Sequence, residues 1–169
     1  MEFVDALKQV KALIFDVDGV LASSFLHVFP DGEQIRVLNR KDDYILQLAI
    51  KKGLLLAIIT GGKSDAIQTH YTRMGFAEVY AGAHTKLEKL EEFIKKYNIP
   101  PRNILYMGDD IPDYPVMKAV GIPVCPADAA TEIKAISLYT SPKEGGKGCV
   151  RDIVEQVLTA QNLIPLTVK

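Results

Sequence analysis

Two short acidic stretches are where this sequence could do chemistry. Asp16-Val17-Asp18-Gly19 follows the apolar run Ala12 to Phe15, and Gly108-Asp109-Asp110, with Asp113 close behind, follows the run Ile104 to Met107. Carboxylates set this close repel one another and rise above the free pKa of ~3.9 unless a cation neutralises them. With only oxygen donors on offer and no Cys/His cluster beside them, the matching cation is Mg²⁺, which binds through one or two carboxylates, keeps several waters and bridges to phosphate. Helix N-capping by Asp is the plainer explanation of either stretch taken alone.

Two further segments have the chemistry of anion binding. The run Leu54 to Ile59 ends in Thr60-Gly61-Gly62, and Lys86 stands at a predicted helix start after the run Val79 to Ala81. A hydroxyl and free backbone N–H groups after a strand cradle a phosphate, and a lysine adds a point charge. Thr60-Gly61-Gly62-Lys63-Ser64 ends like a P-loop, but that pattern requires Gly where Ala57 stands. Nothing reads GxGxxG after a strand, which removes a dinucleotide site. His27, His70 and His84 are scattered and read as solvated or locally hydrogen-bonded, with His84 nearest a strand end.

Positioning these groups requires strands that stop where the chemistry starts. Strand-length apolar runs at 12–15, 54–59, 79–81, 104–107, 122–124 and, weakly, 138–140 alternate with amphipathic stretches at 42–52, 64–74, 87–97, 112–120 and 149–161. That alternation predicts an α/β fold built on a parallel sheet covered on both faces. Leu26 to Phe29 and Gln34 to Leu38 flank Pro30-Asp31-Gly32 and predict a small β-hairpin. In open parallel sheets ligands bind beyond the carboxyl ends of the strands, where all four segments above fall.

The chain has 169 residues, 48% hydrophobic and 24% charged, with no repeat or linker to divide it, so one domain over residues 1–169 is expected. A net charge of −1 offers no global positive field for a nucleic-acid backbone or an anionic membrane, so an anion must be bound locally. The pairs Lys51-Lys52 and Lys95-Lys96 sit at predicted helix ends, where cations suit the dipole. Cys125 and Cys149 have no metal-ligand spacing, as expected in a reducing compartment. Glu2 and Asp5 interrupt any signal pattern at the start, and no apolar run nears the ~20 residues that span a bilayer, so a cytoplasmic protein is expected.

The order DVDG, then Thr-Gly, then a lone Lys, then GDDxxD resembles the motif series of the haloacid dehalogenase superfamily, over nearly the whole chain. The resemblance implies a doubly wound parallel sheet and a magnesium-dependent phosphatase. It implies Asp16 as nucleophile and metal ligand, and Asp18 as a ligand through its carbonyl whose side chain is general acid and then base. Asp109 would complete the metal shell, Thr60, Gly61 and Gly62 would hold phosphoryl oxygens, and Lys86 would neutralise them. Asp110 and Asp113 would orient Lys86 and the metal's waters.

Larger members cover the site with an inserted cap domain. About thirty residues between Gly19 and Gly53, and about twenty-five between Thr60 and Lys86, leave room only for the hairpin, one helix and one strand, so a capless enzyme is expected. Capless members of the sugar-phosphate branch close their sites by forming homotetramers, and DVDGVL, the hairpin, Asn39 to Tyr44, ITGG-K-S, MGDDIPDYPVM and Gly145 to Arg151 resemble the 3-deoxy-D-manno-octulosonate 8-phosphate phosphatase family. That family acts on a small sugar-acid phosphate on the route to lipopolysaccharide. Its C-terminal segment reaches a neighbouring subunit's site, which makes Arg151 and Lys147 candidates for the substrate carboxylate; a glycine loop capping the last helix is the alternative. Departures are Ala22-Ser23-Ser24, Asp42-Asp43 in place of Asp-Gly, and Gly62 where many relatives have Arg and nonulosonate 9-phosphate phosphatases have Glu. Nonulosonate 9-phosphate hydrolysis, or a non-catalytic domain of the kind joined to sialate-activating enzymes, are the competing expectations.

Overall fold

The computed structural model describes residues 2–164. Strand β1 (Ala12–Phe15) is inaccessible on both faces, as a short unbroken apolar run in a parallel sheet should be. Strands β2 (His27–Val28) and β3 (Gln34–Ile35) form an antiparallel hairpin, pairing His27 with Ile35 and Val28 with Gln34. It is shorter than the runs at 26–29 and 34–38 suggested. Strands β4 (Leu55–Ile59), β5 (Glu78–Tyr80), β6 (Ile104–Met107), β7 (Ile122–Cys125) and β8 (Tyr139–Thr140) join β1 in one six-stranded sheet of order β5-β4-β1-β6-β7-β8. Every pairing in that sheet is parallel.

Successive strand residues point to opposite faces, and each face is covered by helices. Leu13, Phe15, Leu56, Ile58, Leu105 and Met107 pack under α1 (Phe3–Leu7), α2 (Arg40–Lys51), α3 (Asp65–Met74) and α7 (Cys149–Ala160). Ala12, Ile14, Ala57, Ile59, Ile104 and Tyr106 pack under α4 (Lys86–Tyr97), α5 (Tyr114–Ala119) and α6 (Thr131–Ile136). Fully burying one such large apolar side chain contributes ~1.5–3 kcal/mol, so the two layers hold the strands in fixed register. Among the described residues, the hairpin is the only sheet outside this arrangement. The fold is the doubly wound α/β architecture expected.

The chain leaves β1 toward β4 and β5, then returns to the other side of β1 for β6, β7 and β8. Strand order therefore reverses at β1, which opens a crevice at its carboxyl end. Helices α1 and α6 were not anticipated; at five and six residues they are too short for apolar periodicity to show. The stretch 112–120 was expected as one helix. It is a 3₁₀ turn, Ile111–Asp113, followed by α5, with a proline near the start of each.

Gly148 at the start of α7 has no side chain with which to cap it. Asp42 of α2 does so instead, its Oδ1 accepting from Arg151 N at 3.0 Å, while its Oδ2 is buried without a partner among the described residues. Burial pushes the Asp42 carboxyl up to about 6; the Arg151 N–H opposes the rise and Asp43 adds to it. Because this value lies above the ~3.9 of an unfolded chain, the folded protein binds the proton more tightly, and this group subtracts stability as pH rises from about 4 to 6. Asp42→Asn keeps the acceptor and removes the charge. Urea unfolding at pH 4.5 and 7.5 should show the Asn variant gaining on the wild type at the higher pH, and Asp42→Ala losing about 1 kcal/mol at pH 4.5 with the cap. An Asn variant that loses ground at pH 7.5 would contradict this account.

Candidate active site

The ladder around β1 ends at Phe15, opposite Ile58 on one side and Met107 on the other. Asp16 N still donates to Met107 O at 3.1 Å, so the sheet itself fixes the backbone of the first acidic residue. Its carboxylate is buried, with Oδ1 accepting from Val17 N at 2.7 Å. Lys86, the first residue of α4, places Nζ 3.0 Å from Asp16 Oδ2 and 2.7 Å from Asp113 Oδ1. Asp113 is fully buried; its Oδ1 also accepts from Tyr106 Oη at 2.6 Å and its Oδ2 from Asp109 N at 3.0 Å. A strand, a helix start and a 3₁₀ turn thus meet on one carboxylate.

The Asp109 carboxylate lies against Gly19. A Cβ at Gly19 would fall 1.8 Å from Asp109 Oδ2, and the backbone there has φ +87°, so both space and conformation demand glycine in the first acidic motif. One oxygen from each of Asp16, Asp109 and Asp113 lies within 4.8 Å of the others. Oxygen donors alone, three acids against one amine, are the donor set of a hard dication such as Mg²⁺.

The electrostatics reflect that imbalance. Burial pushes Asp16 up to about 7, with Asp113 adding to the rise and Lys86 opposing it. Asp109 is pushed up to about 8 by burial and then by Asp16, Asp113 and Asp110. Burial works against the Lys86 ammonium, but Asp16 and Asp113 outweigh it and hold its pKa above the ordinary value. Tyr106, inaccessible and beside Asp113, is pushed well above the ordinary phenol and stays a neutral donor.

Thr60 is buried at the end of β4, with its N–H on Tyr80 O and its carbonyl accepting from Ala83 N, both at 2.9 Å. Gly62 N reaches its hydroxyl only at 3.4 Å, and Gly61 is exposed. Thr60, Gly61 and Gly62 therefore rim the crevice on the strand adjacent to β1. The Asp18 side chain points to the hairpin, where Arg36 Nε and Nη2 donate to its two oxygens at 2.6 and 3.0 Å. Asp110 stays apart from Lys86: it is exposed and its Oδ1 accepts from Ile111 N at 2.8 Å, capping the 3₁₀ turn. Arg151 donates from Nε to Glu155 at 2.6 Å and lies over the Tyr44 ring, while Lys147 pairs with Glu144. Neither touches the carboxylate cluster within one subunit.

The sequence profile of the haloacid dehalogenase-like hydrolase family matches residues 63–151. A 3-deoxy-D-manno-octulosonate 8-phosphate phosphatase of Salmonella typhi is 34% identical over 154 residues, 91% of this chain and 82% of that protein. The chain belongs to the haloacid dehalogenase-like hydrolases. The crystal structure of the Yersinia pestis 3-deoxy-D-manno-octulosonate 8-phosphate phosphatase superposes on this hydrolase with a TM-score of 0.91 at 30% identity, covering 95% of this chain and 86% of that one. The Moraxella catarrhalis phosphatase, solved with magnesium, phosphate and the KDO sugar, gives the same TM-score and identity over 95% and 92%.

Sequence reasoning missed Tyr106, Arg36 and the packing role of Gly19 in this hydrolase. A Tyr inside an apolar strand is a weak signal, since its ring alone would justify the position. Arg36 lies in a hairpin where a charged residue is unremarkable.

Asp16 and Asp109 hold protons near neutrality in the metal-free protein, so metal binding must displace them. Their folded pKa values exceed the unfolded one, so the metal-free protein loses stability as pH rises from about 4 to 8, and added cation reverses more of that loss at the upper end. Mg²⁺ titrations followed by calorimetry should show affinity at least about tenfold tighter at pH 8 than at pH 6, with protons released. Equal affinity at both pH values would contradict the crowding described.

Proposed function

We propose that this hydrolase is a magnesium-dependent phosphatase that cleaves 3-deoxy-D-manno-octulosonate 8-phosphate to the sugar acid and phosphate through an aspartyl-phosphate on Asp16. The observation that carries the reading is Lys86 bridging Asp16 and Asp113 at the carboxyl end of the central strand, with Asp109 beside them. The resemblance to phosphatases of that specificity over nine-tenths of the chain supplies the substrate.

Asp16, Asp109 and the carbonyl of Asp18 would hold the magnesium, which supplies positive charge to phosphoryl oxygens and to the acidic cluster. The carboxylate of Asp16 attacks phosphorus, and the bond from phosphorus to the sugar oxygen breaks. Asp18, with Oδ2 turned from Arg36 Nη2 and protonated while Oδ1 stays on Nε, donates a proton to the departing sugar oxygen. A water then attacks the phosphorus, Asp18 takes its proton, and phosphate leaves with the Asp16 carboxylate restored. Thr60 and the N–H groups of Gly61 and Gly62 hold the transferring oxygens, and Lys86 balances their charge, because this chemistry asks mainly for positioning and neutralisation. Asp113 and Tyr106 position Lys86.

The site works as a single domain without a cap. Phe25, Val28 and Val37 on and beside the hairpin are 87%, 65% and 71% exposed, an apolar surface that subunits of a homotetramer would cover while closing the crevice. In that assembly Arg151 is offered to a neighbour's substrate carboxylate. Among the described residues no helix is long and apolar enough to cross a membrane. A cytoplasmic role in supplying the sugar acid for lipopolysaccharide follows from the substrate.

A phosphate-release panel with Mg²⁺ and with chelator, over octulosonate 8-phosphate, nonulosonate 9-phosphates and hexose phosphates, tests the assignment. Preference for the eight-carbon acid and loss with chelator are expected; preference for hexoses or for nine-carbon acids would overturn the substrate. Asp16→Asn should lower turnover at least about a thousandfold while the protein still folds. Light scattering should return a tetramer, and a monomer would contradict the closing role of the hairpin.

A further inference from the structure

Arg36 sits between the exposed Ile35 and Val37 on a surface hairpin, yet its side chain is only 4% exposed. Its Nε and Nη2 hold the two oxygens of Asp18, and Nη2 also reaches Gln34 Oε1 at 3.3 Å. Nη1 is buried with no partner among the described residues. A guanidinium has five N–H donors in a rigid fork, and the end of this one away from Asp18 meets no acceptor among the described residues. Buried charged donors are costly to leave unpaired, and a ligand oxygen that pairs one gains accordingly.

Gly62 makes room for this guanidinium. A Cβ at that position would stand 2.8 Å from Arg36 Nη2 and 3.5 Å from Asp18 Oδ2. The requirement is for space, and it ties the hairpin to the turn after β4. Arg36 and Gly62 also border a cleft of about 900 Å³ between the hairpin and the start of α3, shared with Lys63, Ser64 and His70. That volume suits a small ligand. The guanidinium thus joins Asp18 to the wall of this cleft.

We propose that Arg36 is a specificity residue that reads the leaving group: Nη1 donates to an acceptor oxygen, hydroxyl or carboxylate, on the sugar beside the ester bond, while Nε stays on Asp18 Oδ1. The inference rests on the phosphatase reading above. It assigns the hairpin a direct part in substrate choice, and it makes Gly62 and Arg36 one unit.

The test compares kcat/KM for two substrates in Arg36→Met, Arg36→Lys, Gly62→Ala and the Arg36→Met/Gly62→Ala double variant. One substrate is whichever sugar phosphate the wild type turns over best. The other is p-nitrophenyl phosphate, whose leaving group has no acceptor oxygen beside the ester bond. Arg36→Met should lower the ratio of sugar phosphate to p-nitrophenyl phosphate about tenfold or more, through KM of the sugar phosphate. Arg36→Lys should recover part of the ratio. Gly62→Ala, by displacing the guanidinium, should lower it similarly, and the double variant no further, because both changes remove the same contact. An unchanged ratio in Arg36→Met, or a fall carried by kcat with the KM of the sugar phosphate unchanged, as disturbance of Asp18 alone would give with the poorer leaving group, overturns the proposal and leaves the phosphatase reading standing. A wild type that releases phosphate from no ester sinks the phosphatase reading and this one with it.

Discussion

Lys86 held between Asp16 and Asp113 is the interaction on which the rest of the structure depends. Its ammonium is buried with two carboxylates, and a third, Asp109, lies within reach of both. One positive charge cannot balance three negative ones away from water, so the cluster keeps protons near neutral pH and is suited to a dication. Every neighbouring feature serves to hold those acids together in spite of their repulsion. Tyr106 and the N–H of Asp109 complete the Asp113 carboxylate, the β1–β6 ladder fixes Asp16, and Gly19 has no Cβ so that Asp109 can close the group.

The sheet makes this affordable by spreading the task over elements that are rigid for other reasons. Reversal of strand order at β1 brings the ends of β4 and β6 to either side of Asp16 with no special loop. The apolar layers on both faces hold the register without polar help, leaving the strand ends free to carry charge. The hairpin is different in kind. Its apolar side chains face solvent, while its one buried charge, Arg36, is engaged with Asp18, so a surface element is tied to the site through a single ion pair.

Much of this was legible in the sequence, and the reasons differ by residue. The central strands were readable because a parallel strand is apolar on both faces, so Ala12 to Phe15 and Ile104 to Met107 stand out as unbroken runs ending in acid. Lys86 was readable only from the order of motifs, since a lone lysine at a helix start has no signature of its own. Tyr106 was hidden because its position is explained equally well by packing, and Asp110, expected to orient Lys86 and the metal's waters, has an exposed side chain that caps the 3₁₀ turn and does not pair with Lys86. Arg36 was invisible for a geometric reason. Its partner is eighteen residues earlier across a turn, and the vacancy it fills belongs to Gly62, a residue noted for lacking a side chain rather than for admitting one. Contacts of this kind come from tertiary approach, which composition and periodicity do not record.

The most direct test of the central claim is a crystal structure of the protein with Mg²⁺ and beryllium fluoride, a mimic of a phosphoryl group bonded to a carboxylate. The account predicts beryllium on an Asp16 oxygen, magnesium between Asp16 and Asp109, and Lys86 Nζ on a fluoride while still paired to Asp113. Beryllium on any other side chain, or magnesium bound away from Asp16 and Asp109, would contradict it.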